Sequence, residues 1–408
     1  MKHIGLIAEY NPFHNGHQYQ INKIKSLFPE KKLVIVMSGD YVQRGEPAIF
    51  NKYLRAHCAL AAGADIILEL PSRYAASSAE HFAFAGVLSL AATGIIDTLC
   101  FGAESTDLSM FQNLASLFND EPEDYRTQLK THLKSGISYP KARGLSAAAC
   151  LKNDSVETFL KQPNNILGIE YIRAIHACGL NLTPVIIERI GNGHHDLSTQ
   201  ADFCSASALR QEIQTFDSSK QSQPDLHRWI PPYADEILSS SPYAKPLFLS
   251  DFYPFLQYAL WQESSYDKYD EVSSEISNRL SALTAYPADM HAMTEYLSGR
   301  NLTKTRIQRA LLNILLKRSK RDMSKQREVA YLRLLGFRST ASPLLKSIQD
   351  NGEIPIINKV ANARKILSVS ANRQFEHDIQ CSFLYRQAFY NKYGILMPTE
   401  YEHSVIII

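Results

Sequence analysis

Long apolar runs are missing from this chain of 408 residues, 45% of them hydrophobic. None approaches the roughly 20 residues that a helix needs to cross a bilayer. Charge of one sign is equally scarce, with 43 Lys and Arg against 41 Asp and Glu. Any anion-binding surface must therefore come from local clustering, not from the overall field. Cysteines are few and scattered, at positions 58, 100, 150, 178, 204 and 381, with no Cys-x-x-Cys pair. That spacing argues against a disulfide framework or a structural zinc site and suits small buried hydrophobes. The opening MKHIGLIAEYNPFHNGH sets a lysine before a very short apolar run that breaks into turn residues, unlike a secretory leader. The expected location is the cytoplasm. No internal repeat is visible.

What is present is alternation. Residues 3–8 (HIGLIA) and 32–37 (KLVIVM) are β-branched and almost continuously apolar, as central strands of a parallel sheet are. Between them residues 17–27 place Ile21, Ile24 and Leu27 on one helical face. A helix at 53–62, a strand at 66–70, an alanine-rich helix at 75–91 and a strand at 95–101 follow. Helices within 108–132, at 145–151 and at 166–176 then lead to a strand at 182–190. The pattern predicts an α/β fold, a Rossmann-like domain with a parallel sheet over residues 1–213. Residues 214–246, dense in serine and proline, read as a connector or irregular segment. Residues 247–408 read as a mainly helical region, with helices at 255–262, 271–283, 291–297, 304–317 and 323–335.

The first strand runs into Pro12-Phe13-His14-Asn15-Gly16-His17. Open α/β sheets bind ligands at such strand-to-helix junctions, where free N–H groups and the helix dipole favour anions. Gly16 permits close approach to the main chain. His14 and His17 share a side if the turn is helical, and together they can clamp a polyphosphate and donate to its leaving oxygens. In most chains such a pair is simply a satisfied surface or core pair, and zinc would need a third ligand that is not apparent nearby. Downstream, Ser205-Ala206-Ser207-Ala208-Leu209-Arg210 offers hydroxyls and a guanidinium fork at a helix start, suited to outer phosphates.

His14-Asn15-Gly16-His17 matches the His-x-Gly-His signature of the nucleotidylyltransferase superfamily, which attacks a nucleotide α-phosphate and expels pyrophosphate. The blocks GLIAEYNPFHNGH, VMSGDYVQRGEPAIFNKYLRA, GADIILELP, FGAES, SYPKAR, PNNILGIEYIRAI and RIGNGHHD together resemble the bacterial tRNA(Met) cytidine acetate ligase family. They cover most of residues 4–210, and RALLNILL and YLRLLGF extend the likeness towards 340. The resemblance implies that ATP and acetate give acetyl-adenylate and pyrophosphate. Acetyl then passes to N4 of wobble cytidine 34 of elongator tRNA(Met), giving N4-acetylcytidine. Neither a membrane nor DNA is an expected partner, and the oligomeric state is left open.

The resemblance also implies an ATP site over Ile7, Ala8, Glu9, Tyr10, Asn11, Pro12, Phe13, His14, Asn15, Gly16, His17, Gln18, Tyr19 and Gln20. Gly102, Asn164, Asn165, Arg189, Ile190, Ser205, Ser207 and Arg210 join it, with Asn165 favoured over Asn164 as the ligand contact. Gly191, Gly193, His194, His195 and Asp196 read as a loop closing over ATP, since neighbouring side chains on an extended chain diverge. Mg²⁺ is expected, held mostly by phosphate oxygens and water, with no dedicated protein metal site. His14 and His17 are assigned to adenylation. Asp40, Arg44 and Lys52 are the candidates around acetate and the incoming cytidine, with Asp40 facing the cytidine amine. No serine or cysteine nucleophile is required.

Residues 300–338 interleave leucine-rich faces with lysine and arginine. Arg306, Arg309, Lys317, Arg318, Lys320, Arg321 and Arg327 are the candidate tRNA contacts. Two other classes fit parts of the chain: a nucleotidylyltransferase acting on a small metabolite, and a non-catalytic RNA-binding protein.

Overall fold

A computed structural model describes residues 2–189, 204–219, 226–299, 302–321 and 328–408. Strands β1 (His3–Ala8) and β2 (Leu33–Ser38) lie parallel, with Leu6 beside Ile35. Their runs are apolar throughout because both faces are covered. Leu33, Ile35 and Met37 enter a core with helices α1 (Asn15–Leu27) and α2 (Lys52–Ala61). Val34 and Val36 enter the opposite core beneath the helix Ala79–Ala91. This is the two-residue period of a strand sandwiched between helical layers.

After β2 the chain makes a small antiparallel hairpin, β3 (Tyr41–Val42) and β4 (Glu46–Pro47). Strands β5 (Ile66–Leu70), β6 (Ile96–Ala103) and β7 (Thr183–Glu188) complete a parallel block in the order β5-β2-β1-β6-β7. The chain leaves central β1 first to one side and later to the other. That reversal opens a crevice at the carboxyl ends of β1 and β6. The α/β reading and the mainly helical later region are both borne out.

Three expectations need correction. Residues 323–335 were expected to be helical, but 332–335 belong to strand β8 (Leu332–Phe337), antiparallel to β5, while 322–327 lie outside the described residues. Leu332 and Leu334 enter one core and Leu335 the other. A run buried on both faces cannot be told from a buried helix by periodicity. Residues 75–91 are not one helix, because Ser78 accepts from the His81 N–H and starts a new one. The supposedly irregular 214–246 stretch contains a helix, Pro232–Ser239, whose prolines suit its first turn.

Strands β9 (Ile356–Ile357) and β10 (Ile406–Ile407) also pair with β8, so the sheet is not confined to residues 1–213. The later helices build their own core around Leu256, Ile276, Met293, Leu311 and Tyr385, which reaches Tyr41 of the hairpin. Among the described residues no helix is long and apolar enough to cross a membrane.

Candidate active site

The corner where β1 meets α1 is built by its own side chains. Tyr10 takes a left-handed φ of 51° and the Asn11–Pro12 peptide is cis. His14 then caps α1. The Gly16 N–H donates to His14 Nδ1 at 3.0 Å, and the His14 N–H donates to His17 Nδ1 at 3.3 Å. The two rings stack, with centroids 3.8 Å apart.

Each Nδ1 is therefore an acceptor, and a neutral imidazole using Nδ1 that way carries its proton on Nε2. Burial holds both rings neutral. It pushes His14 down to about 3, helped by Arg189 and Arg210. His17 falls well below its ordinary value through burial, then through His14 and Arg189. The result is a pair of uncharged Nε2–H donors fixed by backbone. Gly16 is part of this device, since a Cβ there would lie 2.8 Å from His14 Cε1.

Both histidines line a cavity of about 340 Å³. Of the residues expected at a nucleotide site, Ile7, Ala8, Glu9, Tyr10, Asn11, Gln20, Gly102, Asn164, Arg189, Ser205, Ser207 and Arg210 line it too, and so does Arg44. Gly16 and Tyr19 line a smaller cavity that shares His14, His17 and Arg189 with it. The rest of the expected set has other work. Phe13 packs into the core with Tyr10. Pro12 does not line either cavity. Asn15 donates to the carbonyls of Trp229 and Arg228, and Gln18 accepts from the Tyr233 hydroxyl. Asn165, 2% exposed, accepts from the N–H groups of Glu104 and Ser105 and donates to Phe159 O. Its carbonyl oxygen is spent on the turn after β6, and Asn164 is the one that reaches the cavity. Ile190 and residues 191–196 lie outside the described residues.

Sequence reasoning missed the apolar wall, formed by Phe82, Phe101, Ile166, Leu167 and Tyr171, together with Gln43. The wall residues looked like ordinary core, because helix-face hydrophobics carry no mark that separates a cavity lining from packing. It also missed Arg55. This buried guanidinium donates to the carbonyls of Glu9, Ser38, Gly39 and Phe50, tying the ends of β1 and β2 together.

The cations are anchored from several elements. Arg210 donates to Asn11 O at 2.8 Å and to Ser207 Oγ at 3.2 Å. The Arg189 N–H donates to Ala103 O, and its side chain passes 3.5 Å from where a Gly102 Cβ would sit. That hypothetical Cβ would also come within 3.2 Å of Gln20 Nε2, so Gly102 keeps this wall thin. Among the described residues no cluster of His, Cys, Asp and Glu is arranged to hold a metal ion.

Asp40 and Lys52 do not reach the large cavity. Lys52 is 1% exposed, with its ammonium 2.8 Å from Glu69, 3.1 Å from Glu400 and 3.5 Å from Asp40. An ammonium so placed is consumed by its partners, which corrects the expectation that it neutralises acetate. Asp40 lines instead a cavity of about 20 Å³ with Ser382, Glu400 and His403.

The expected RNA contacts divide similarly. Arg318 is 2% exposed and donates to Ala76 O, so it is withdrawn from any surface role. Arg309 forms a two-point pair with Glu271, and Lys317 pairs with Glu263. Arg306, Lys320 and Arg321 are exposed, while Arg327 lies outside the described residues.

A family model described as HIGH Nucleotidyl Transferase matches residues 1–396. A protein of Thermoanaerobacter sp. (strain X514) named tRNA(Met) cytidine acetate ligase is 35% identical over 390 residues, 95% of this chain and 96% of its own length. One of the same name from Acetivibrio thermocellus is 34% identical over 416 residues and 100% of both chains. The crystal structure of apo Thermotoga maritima TmcAL superposes with a TM-score of 0.92 at 27% identity, covering 100% of both chains. A second form, bound with alpha-thio ATP, gives 0.90 at 27% identity, covering 100% of this chain and 99% of that one.

Proposed function

The chain belongs to the tRNA(Met) cytidine acetate ligase family within the HIGH nucleotidyl transferases, and from that premise we propose a two-step reaction. ATP and acetate give acetyl-adenylate and pyrophosphate, and acetyl then passes to N4 of cytidine 34 of elongator tRNA(Met). The protein is an ATP-dependent ligase and works in the cytoplasm, where its RNA substrate is made.

The observation that carries this reading is the pair of neutral Nε2–H donors at the head of α1, inside the cavity. Adenylation is displacement at the α-phosphorus, and negative charge grows on the pyrophosphate as it departs. Donors aimed at that charge act most strongly where water is excluded. Arg189, Arg210 and the N-terminus of α1 add positive potential. The Ser207 hydroxyl, beside Arg210, and Ser205, which lines the same cavity, are suited to the outer phosphates. The apolar wall of Phe101, Ile166 and Leu167 suits the adenine ring.

Acetate is a poor acyl donor until adenylation replaces an oxide leaving group with AMP. Arg44 supplies the charge that lets one anion approach another. Mg²⁺, if bound with the nucleotide, would be held mostly by phosphate oxygens and water, and among the described residues Glu9 is the one carboxylate in a cavity otherwise lined by arginines and neutral groups. Exposed Arg306, Lys320 and Arg321 attract the RNA backbone.

The test supplies purified protein with ATP, Mg²⁺ and acetate, with and without elongator tRNA(Met). Acetate-dependent exchange of pyrophosphate into ATP is expected without RNA, and N4-acetylcytidine with it. ATP binding with neither product would return the protein to the non-catalytic class. Adenylate formation from a different small metabolite would return it to the other.

A further inference from the structure

A carboxylate is an odd lining for a cavity meant to hold a triphosphate. Glu9 lies one residue beyond the end of β1 and lines the same cavity as His14, His17, Arg189 and Arg210. Its placement is deliberate in the structural sense. The Gln43 N–H donates to Glu9 Oε1 at 2.7 Å, and the Glu9 carbonyl is gripped by buried Arg55. One carboxylate oxygen is thus fixed by backbone, in a side chain that lines the cavity.

Gln43 belongs to the turn of the β3–β4 hairpin, and this hairpin packs on the basic helix Lys304–Leu315. A Cβ on Gly45 would lie 2.4 Å from the Arg309 main-chain nitrogen, and Gln308 donates to Glu46. Glu9 therefore sits on the side of the cavity that borders the candidate RNA-binding helix. Asp40, the residue expected to meet the cytidine amine, is bound up with Lys52 elsewhere.

We propose that Glu9 is the catalytic base of the acyl-transfer step, taking the proton from the cytidine N4 amine. This rests on the two-step reading above. The amine lone pair attacks the acetyl carbonyl carbon and forms the C–N bond, and the carbonyl pair moves onto oxygen. Collapse of that intermediate breaks the bond to the AMP phosphate, which leaves with its electron pair. The proton lost by nitrogen ends on the Glu9 carboxylate and is released to water. Burial raises the affinity of Glu9 for a proton. The Gln43 N–H and the charges of Arg210, Arg44 and Arg55 oppose that rise, while Tyr171 faces the carboxyl from the helix Pro163–Ala177. A base tuned upward in this way is better matched to work near neutral pH.

The test compares wild type with Glu9→Gln, which keeps an oxygen acceptor for the Gln43 N–H. Acetate-dependent ATP–pyrophosphate exchange is measured beside single-turnover acetyl transfer to tRNA. The expected result is transfer reduced about 10²-fold or more relative to the exchange measured on the same variant. The wild-type transfer rate should rise with pH through one ionisation that is missing from the variant, and the apparent KM for tRNA should hardly move. Equal loss of both activities would overturn the proposal and assign Glu9 to nucleotide or Mg²⁺ binding. Unimpaired transfer, or an unchanged pH profile, would overturn it as well. Failure of the underlying two-step reading looks different, because wild type would then show no acetate-dependent exchange.

Discussion

The histidine corner and the cluster around Lys52 draw on neighbouring strand ends, and both bury ionisable groups, yet burial has opposite outcomes in them. His14 and His17 are buried beside arginines, so desolvation and repulsion act together and the rings stay uncharged. Lys52 is also desolvated, but Asp40, Glu400 and Glu69 outweigh that cost and its affinity for a proton rises. Arg333 extends the cluster, 3.2 Å from Glu69 and in contact with Glu400. The first arrangement leaves donors whose Nε2 meets no partner among the described residues, ready for a ligand. The second satisfies its charges internally and fastens the C-terminal segment, through Glu400 and Ser382, to the catalytic sheet. Buried charge marks a reaction site only where the protein leaves it something to do.

Replacing both His14 and His17 by alanine should separate the two regions most sharply. Pyrophosphate exchange is expected to fall about 10³-fold, since one such donor is commonly worth 10²–10³. The fold should remain, as judged by circular dichroism and urea unfolding. Acid sensitivity should ease as well. Folded His14 stays unprotonated down to about 3 whereas the unfolded chain protonates near the ordinary imidazole value of 6.5, so stability is lost as pH falls through that window. The double variant should lose less of it.

Lys52→Met should do the reverse. Removing one partner strands buried carboxylates, so about 3–5 kcal/mol of unfolding free energy should disappear in urea titrations. Exchange per folded molecule should survive. Lost exchange at unchanged stability would move Lys52 back to the reaction. Gly16→Ala is a finer probe, because alanine favours the helix by roughly 1 kcal/mol while its Cβ displaces the His14 ring. Exchange should fall about tenfold with no loss of stability. The smallest effect belongs to the exposed surface. Arg306→Gln with Arg321→Gln should weaken tRNA binding less than tenfold and flatten its salt dependence by about one to two units of slope. Arg318→Gln should instead reduce stability, since that guanidinium is buried.

Much of this was legible in the chain. Strands β1, β2 and β5 announced themselves because burial on both faces leaves an uninterrupted apolar run, and His14-Asn15-Gly16-His17 stood out because chemistry-bearing residues crowd a strand end. Strand β8 was not legible, because LRLLGF fits a helix or a strand until β5 offers its edge. Asn165 and Lys52 misled for a related reason. A polar residue near a site looks the same in sequence whether its partner is a ligand or a backbone N–H 60 residues away, and only the fold reveals that Glu104, Ser105 and Glu400 have already claimed them. The division between domains was blurred by the same physics, since the last strands complete a sheet begun at residue 3.

The account stands on the protonation of two rings. Nitrogen-15 NMR of the nucleotide-free protein, with His14 and His17 assigned by substitution, reads it directly between pH 5 and 8. Both imidazoles should show a protonated Nε2 and an unprotonated Nδ1, with no titration in that range. A midpoint near 6.5 for either ring, or a proton on Nδ1, would contradict the claim that the corner presents neutral, backbone-fixed donors to the triphosphate.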